Sequence, residues 1–527
     1  MPAPQTLGPL DGVVQLGSVG EALAWLRASG SKGLSSDSRR LAAGEAFIAW
    51  PGLARDPRAH VHDAFLHGAQ VALVEAEGLA AWSADWPLPI RQRTAAVAGL
   101  KAAAGPLAAA FFGLPGMALD VVAVTGTNGK TSSSWWIAQL LSALERPAGV
   151  IGTLGLGPVG GGAAMLVPTG FTTPDPVQLQ RALRGMVDGG LKAVAIEASS
   201  IGLVESRLDG LPIRVAIYTN FSQDHLDFHG SMAAYAAAKR RLFDWPGLQA
   251  AVLNVDDAEV AAQAAGLAVR EARGEGPACW TTSARGQAGA RLRAVDHQLG
   301  PDGLAFTVVE HGPAGETRLP LATRLLGDFH VDNLLGVIGA LRALGHPLPA
   351  VVAACAALGP VPGRMQRVQL GRAPQPAVLV DYAHTPDALA QALATLRPLA
   401  TARGGRLAVL FGCGGDRDRS KRPRMAAAAE AGADRVWLSS DNPRSEDPQA
   451  LLAEVAAGLQ RPQLAMIEPD RRAAIAAAVA ACTAADVLLI AGKGHETTQE
   501  IAGVKHPLSD VAEAETALQA WLNGARA

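Results

Sequence analysis

Three observations predict an α/β protein of three domains with mainly parallel sheets. At 527 residues the chain exceeds one ordinary core, and at ~100–200 residues per domain it divides into about three. Short β-rich runs alternate with helical stretches, the rhythm of βαβ units. Several of those runs end in glycines and polar residues, where open α/β sheets hold their ligands.

The first block, residues 1–114, carries apolar runs at Ala46–Trp50 and Val71–Glu75 and helical stretches such as Thr94–Phe112. It closes at the loop-forming Gly113-Leu114-Pro115-Gly116. The second, 115–346, opens with Leu119–Val124, a glycine turn and a helix around Lys130–Leu144. Further runs follow at Ala193–Glu197, Val215–Thr219 and Ala250–Asn254, and Gly286–Gly315 reads as a mixed or antiparallel insertion. The third, 347–527, repeats the rhythm with strands Ala377–Val380, Leu407–Phe411, Arg435–Ser439 and Val487–Ala491. Their carboxyl ends carry Asp381-Tyr382, Gly412–Asp418, Asp441–Arg444 and Gly492–Glu496, which places a second polar site on this block.

Composition removes several classes. A formal net charge of −2 argues against broad phosphate neutralisation, so no nucleic-acid partner is expected. No uninterrupted apolar stretch of ~18 residues is present, so no membrane span is expected. The start, MPAPQTLGPLDGVVQLGS, lacks the basic then apolar pattern of a signal peptide. Cys279, Cys355, Cys413 and Cys482 are far apart and without CxxC spacing, as expected of reduced thiols in a cytoplasmic protein.

Val124-Thr125-Gly126-Thr127-Asn128-Gly129-Lys130-Thr131 follows a strand and opens a helix. Glycines let backbone N–H groups turn inward, the helix start adds partial positive charge, and Lys130 adds a full one. Thr131 stands where such a loop binds Mg²⁺. The usual G-x-x-x-x-G-K-[ST] spacing would need Gly at 124, where this chain has Val, so the loop is a TGTNGKT variant that binds ATP. A phosphate loop alone is compatible with motors, kinases, GTPases and ligases. Glu197 closes a strand in a position suited to Mg²⁺, although an ordinary strand-end acid would read the same. His225 and His229 share i, i+4 spacing, but HExxH is absent, so one imidazole in an oxygen-rich Mg²⁺ site is preferred to zinc.

The chain resembles the Mur ligases, amide-forming ATPases of peptidoglycan synthesis whose three-domain layout is shared with folylpolyglutamate synthetases. The resemblance covers nearly the whole chain. It rests on TGTNGKT at 125–131, TTPDP at 172–176, EASS at 197–200, NFSQDHLDFHG at 220–230 and Ala238-Lys239, then GDFHVDN at 327–333 and PGRMQ at 362–366. DYAHTPDAL at 381–389, GCGGDRDRSKRP at 412–423, DNPRSEDP at 441–448 and GKGHE at 492–496 complete it.

The resemblance implies an N-terminal uridine-nucleotide-binding α/β domain, a central P-loop ATPase domain and a C-terminal Rossmann-like domain. It places Gly126, Thr127, Asn128, Gly129, Lys130, Thr131, Ser132, Asn333, Arg364 and Asp381 around ATP, and gives catalysis to Lys130, Glu197, His225, Lys239 and Arg364. Thr131, Glu197, His225 and a carbamylated Lys239 would serve magnesium, an exposed helical lysine being the plainer reading of Lys239. Ser36 and Ser38 would face the uridine end of UDP-N-acetylmuramoyl-L-alanyl-D-glutamate, with Thr172, Thr173, Ser199, Glu205 and Arg207 along the muramoyl dipeptide.

The amine implied is meso-diaminopimelate, held by Arg417, Asp441, Asn442, Pro443, Arg444, Gly492 and Glu496. Arg444 can take its distal carboxylate bidentately, which lysine lacks. A monomer is implied by analogy. Ile201, Glu205, His330 and Gln366 depart from the family pattern. The alternatives are a lysine-adding ligase, disfavoured by Arg444, a folylpolyglutamate synthetase, a tripeptide-recycling ligase and a silent nucleotide-binding scaffold.

Overall fold

The computed structural model describes residues 8–524 apart from 9, 53–54, 161, 163–164, 301–302, 313–314 and 372–373, so residues 1–7 and 9 of the stretch read for a signal peptide lie outside the described residues. By contact the chain divides into two compact units, Met1–Thr125 with Leu141–Ala216 and Ala238–Gln249, and Gly126–Leu140 with Ile217–Ala237 and Ala250–Ala527.

In the first unit, strands Leu34–Ser35, Ala46–Ala49, Val71–Glu75, Thr94–Val97 and Val14–Leu16 form one parallel sheet. Strand side chains alternate between faces, and here both faces are apolar. Ala46, Ile48, Leu73 and Val97 enter one core, and Phe47, Ala49, Val74 and Ala96 enter the other. Thr94–Val97 therefore corrects the helical reading of Thr94–Phe112: the run is a strand, and the helix begins at Leu100 and ends at Phe111. Its alanines favour helix, but pairing between two strands outweighs that weak propensity. Gly99, at φ 71, makes the break, and the Glu75 carboxylate accepts from the N–H groups of Gly99 (3.1 Å) and Leu100 (2.7 Å). The same unit holds parallel strands Asp120–Thr125, Ala193–Glu197 and Ala148–Gly152, with Gly155–Pro158 antiparallel at the edge.

The second unit carries Ala250–Asn254 and Ala278–Ser283 in parallel, followed by an antiparallel meander of Leu292–Gly300, Gly303–Gly312 and Gly315–Thr323. The expected antiparallel insertion is thus a three-stranded meander. A six-stranded sheet follows in the order Gln366–Val368, Ala377–Asp381, Val487–Ala491, Leu407–Phe411, Arg435–Leu438, Met466–Ile467. Only the first strand is antiparallel. Leu379, Val409, Phe411 and Leu489 pack on one face, and Val378, Val380, Leu410 and Ile490 on the other. That doubly covered parallel sheet aligns the carboxyl ends of four strands into one crest.

Beneath the crest, Arg471 and Asp510 form a fully buried ion pair, with Nε and Nη2 each 2.7 Å from a different carboxylate oxygen. Arg471 also donates to the carbonyls of Ala491 and Ser440, tying two strand ends to helices Arg471–Ala480 and Asp510–Gly524. Arg471→Leu leaves Asp510 buried without its partner and is expected to cost about 3–5 kcal/mol in urea unfolding. Arg471→Leu/Asp510→Leu together should recover much of that loss.

Candidate active site

The buried strand Asp120–Thr125 runs directly into residues 126–129 and helix Lys130–Ala143. Gly126 (φ 146) and Gly129 (φ 85) have backbones that favour glycine, and a Cβ would strike Thr219 Oγ1 or Asn333 Oδ1 respectively. The loop is fastened to residues 219–222, which follow the strand Val215–Tyr218. Asn128 N donates to Asn220 Oδ1 (2.9 Å), Thr219 Oγ1 to Asn128 O (2.6 Å), and Thr127 Oγ1 to Ser222 O (3.0 Å). Lys130 Nζ lies over the loop, 2.8 Å from the carbonyls of both Gly126 and Thr127. Ser132, in the first turn of the helix, is buried.

Arg364 reaches the same place. Its Nη2 donates to Thr131 Oγ1 (3.0 Å), and its guanidinium lies 4.3 Å from the Tyr382 ring centroid. Asp381 accepts from Met365 N (2.6 Å) and Ala383 N (2.8 Å), so it supports the loop that carries Arg364. Burial raises its pKa, against the opposing pull of Arg364 and those two N–H groups. The structure therefore gathers Gly126–Ser132, Asn333 and Arg364, with Asp381 behind them. His330 is buried between Trp136 and Phe329, at ring distances of 5.0 and 4.3 Å, and burial pushes its pKa down to about 3. Gln366 Oε1 accepts from Gly363 N (2.7 Å), so this departure from the family pattern shapes the Arg364 loop.

The metal candidates divide between the units, Glu197 and Lys239 in the first, Thr131 and His225 in the second. Glu197 is 1% exposed and accepts from Thr153 N (2.7 Å) and Thr153 Oγ1 (3.1 Å). Lys239, in helix Met232–Arg240, is also 1% exposed, which corrects the exposed-lysine reading. His225 takes φ 53 ahead of the short helix Leu226–His229, and its Nε2 lies 3.5 Å from Asp224 Oδ2. Burial works to raise the Asp224 pKa, but His225, His384 and Lys421 outweigh it and hold the carboxyl at about 2. His384 is pushed down to about 4 by burial and Lys421. Among the described residues no group of three or more His, Cys, Asp or Glu forms a metal cage by itself. Taken singly, the Thr131 hydroxyl and the Glu197 carboxylate are hard oxygen donors of the kind Mg²⁺ takes, an ion that uses few protein ligands and completes its shell with phosphate and water, whereas the His225 imidazole is a softer donor.

Within the first unit a cavity of about 940 Å³ is lined by Ser36, Ser38, Arg39, Arg40, Trp50, Arg55, Phe171, Arg181, Glu205 and Arg207, among others. Four of the seven residues assigned to the nucleotide substrate line it: Ser36, Ser38, Glu205 and Arg207. Thr172, Thr173 and Ser199 are not among its lining residues. Thr172 Oγ1 lies 3.1 Å from Thr153 Oγ1, Thr173 Oγ1 donates to Glu197 O (2.7 Å), and Ser199 Oγ caps helix Ser200–Val204 through Gly202 N (3.0 Å). All three bear on the ends of the strand carrying Glu197 or on its neighbour. Glu205 pairs with Lys101 (2.8 Å), and Arg207 donates to Thr173 O (2.9 Å) with its guanidinium 4.8 Å from the Phe171 ring. Burial lowers the Arg207 pKa, with Glu205 and Asp175 opposing.

At the crest in the second unit, Asn442 Nδ2 donates to Glu496 Oε2 (2.8 Å) and Asp441 Oδ1 (3.0 Å). Gly492 (φ 112) approaches Asp441 too closely for a side chain. Arg444, at φ 53, donates from Nη1 to Gly415 O (2.6 Å), and Arg417 Nη1 to Asp416 O (3.2 Å). Pro443 lies with its carbonyl against Gly415. Burial raises the Asp441 pKa despite Lys493 and Arg471. For Glu496 burial also acts upward, but Lys493 and Asn442 outweigh it and the pKa falls. The seven residues assigned to the amino acid therefore share one crest.

The crest is braced by the fully buried Arg422, bidentate to Glu446 (2.7 and 2.8 Å) and bonded to Glu454 (2.8 Å). Hydrogen bonding to Arg422 holds Glu446 at about 2, against an ordinary 4.5. Its folded pKa is depressed, so its stabilisation is present above pH about 4.5 and lost as pH falls toward 2. Glu446→Gln should lower the urea midpoint at neutral pH, and the gap from wild type should close across that acid window.

The sequence did not mark Arg181, Asp224, Lys493 or Gln499. Arg181 faces the cavity and donates to Glu45 (2.7 Å). Asp224, adjacent to His225 in NFSQDH, had a signal in its position. Lys493 stands within GKGHE at 492–496 and so had a signal in its position too, whereas Gln499 had none short of the fold.

Comparison with known proteins gives the family. A family model described as the Mur ligase middle domain matches residues 124–341, and one described as "Mur ligase, glutamate ligase domain" matches 363–494. A UDP-N-acetylmuramoyl-L-alanyl-D-glutamate–2,6-diaminopimelate ligase of Acidovorax sp. (strain JS42) is 51% identical over 505 residues, covering 94% of this chain and 96% of the relative. One from Pseudomonas aeruginosa is 44% identical over 489 residues, covering 93% and 95%. A solved structure of a ligase of that name matches at TM-score 0.60 and 36% identity, covering 93% of this chain and 95% of its own. MurF from Acinetobacter baumannii, at 17% identity and TM-score 0.64 over 95% and 98% of the two chains, shows the shared fold alone. With family models spanning the phosphate loop and most of the crest, and relatives similar along nearly their whole length, the chain belongs to the Mur ligase family.

Proposed function

We propose that the chain is an ATP-dependent ligase that joins meso-diaminopimelate to the D-Glu carboxylate of UDP-N-acetylmuramoyl-L-alanyl-D-glutamate in peptidoglycan synthesis. The observation that carries the reading is the crest, where Arg444, Glu496, Asn442 and Asp441 offer a cation, anions and an amide to one ligand, the complement of a diamino diacid. In this reading residues 1–114 hold the uridine nucleotide in the 940 Å³ cavity, 115–346 the ATP, and 347–527 the amino acid. The protein acts as a monomer in the cytoplasm, without nucleic acid or membrane as partner. Among the described residues no helix is long and apolar enough to cross a membrane.

A carboxylate is a poor acyl donor because oxide would have to leave. Attack of the D-Glu carboxylate on the γ-phosphorus of ATP forms an acyl phosphate and releases ADP. The acceptor's ammonium gives one proton to solvent, the resulting amine attacks the carbonyl carbon, and phosphate departs with the electrons of the broken C–O bond as the nitrogen's second proton passes to solvent. Lys130 and the loop N–H groups hold the β- and γ-phosphates, and Arg364, beside Thr131, offsets charge on the transferring group. Bound Mg²⁺ would neutralise phosphate charge, with Thr131, Glu197 and His225 as the residues to hold it, and Lys239 as a carbamate anion in support. Arg444 takes the distal carboxylate and Glu496 the distal ammonium.

The test is ADP release by purified protein with Mg²⁺, ATP and the dipeptide nucleotide, in parallel with meso-diaminopimelate, L-lysine or no amine. Release that depends on diaminopimelate is expected. Equal release with lysine would overturn the acceptor, and none with any amine would overturn the ligase.

A further inference from the structure

Beside the crest lies a two-stranded hairpin, Thr498–Ile501 and Val504–Pro507, whose second strand is exposed along its length. Its first strand runs next to residues 440–444 and is bonded to them through Gln499 and Glu500, with Ala502 of the turn adding a further bond. Gln499, itself buried, donates from Nε2 to the carbonyls of Asp441 (2.8 Å) and Ser440 (3.3 Å). Glu500 N donates to Asn442 Oδ1 (3.0 Å). Arg444 N donates to Glu500 O (3.0 Å), and Ala502 N donates to Arg444 O. Arg444 is thereby held on both sides in a left-handed backbone that a residue with a Cβ rarely adopts unaided.

Lys493 completes the arrangement from below. It is 0% exposed, and its ammonium has three donors. They go to Glu496 Oε2 (2.8 Å), Thr498 O (2.8 Å) and Asn442 Oδ1 (3.2 Å). Asn442 Nδ2 donates to that same Oε2, which leaves Oε1 of Glu496 to accept from a ligand's ammonium. Lys493 therefore has no donor left for a ligand, and every bond it makes orients a residue of the amino-acid site or the hairpin.

We propose that Lys493 and the hairpin form a splint that sets selectivity for the acceptor amino acid, with Lys493 and Gln499 as positioning residues. This rests on the amino-acid site proposed above. Arg444 and Glu496 sit on two different loops, so discrimination of a distal ammonium and carboxylate depends on the distance between them. The splint bonds to both loops at once and fixes that distance.

Three variants test it in the full-length protein: Lys493→Met, Gln499→Leu, which removes both donated bonds at similar volume, and Gly503→Val, which strains the exposed hairpin turn at φ 77 without touching the site. Steady-state kinetics with each substrate varied are compared with thermal midpoints. A misplacement of this kind is expected to raise KM for diaminopimelate about 10–100-fold and to reduce its preference over L-lysine, while KM for ATP and for the dipeptide nucleotide stays within about twofold. A folded variant set with unchanged KM for diaminopimelate overturns the splint. So does a fall in kcat that merely tracks loss of folded protein. If Lys493→Met does not fold, the other two variants decide by the same criteria. Wild-type protein is the reference: no turnover with diaminopimelate there overturns the proposed function itself, and the splint with it.

Discussion

Lys130→Ala is expected to lower amine-dependent ADP release by about 10³-fold or more, with little change in thermal midpoint. Removing one fixed donor from charge developing in a transition state costs about 10²–10³ in rate, and Lys130 contributes a full positive charge as well as hydrogen bonds. Its ammonium lies 2.8 Å from two loop carbonyls, so the backbone already aims it across the loop. The loop itself is held by Asn220, Thr219 and Ser222, independently of the lysine, which is why folding should survive. Rapid-quench measurement of acyl-phosphate formation would place the loss in the chemical step. Retention of more than a tenth of the wild-type rate would remove Lys130 from that role.

Arg444→Ala is expected to have the largest effect on acceptor choice. An acceptor's distal carboxylate would lose a bidentate cation, and a cation left without such an anion is the penalty that lysine meets in the wild type. Arg444 is half-buried, so the loss is that of hydrogen bonds to a charged group, about 1.5–3 kcal/mol, or roughly 10–10² in discrimination. The variant should therefore lose most of its preference for diaminopimelate over lysine, read as the ratio of kcat/KM values. Its guanidinium bond to Gly415 O is replaceable by water, so stability should change little. An unchanged ratio would mean that another cation on the crest takes the carboxylate.

These expectations draw on features that differ in how visible they are in sequence. The parallel strands were legible because burial on both faces writes each as an unbroken apolar run; Leu407–Phe411 and Val487–Ala491 needed no adjustment. Thr94–Val97 was not legible, since its two central alanines carry no β signal and only the neighbouring strands make it one. The phosphate loop was legible because its chemistry is contiguous. The crest proposed as the amino-acid site was legible as three separate motifs at strand ends, a position that α/β sheets give to ligands. Ser199 shares a motif with Glu197, yet its hydroxyl caps the local helix, and the Thr173 hydroxyl, from a separate motif, goes to the Glu197 carbonyl. Lys493 and Gln499 act on residues 51 and 58 positions away, and no local pattern encodes partners at that range.

The most direct measurement of the central claim is the fate of oxygen. The dipeptide nucleotide would be labelled with ¹⁸O in its D-Glu carboxylate and incubated with protein, Mg²⁺, ATP and meso-diaminopimelate, with product and phosphate analysed by mass. One labelled oxygen in the released phosphate, together with a product heavier by one diaminopimelate residue, is the predicted result. Unlabelled phosphate, or ADP formed without that product, would contradict carboxylate activation by this chain.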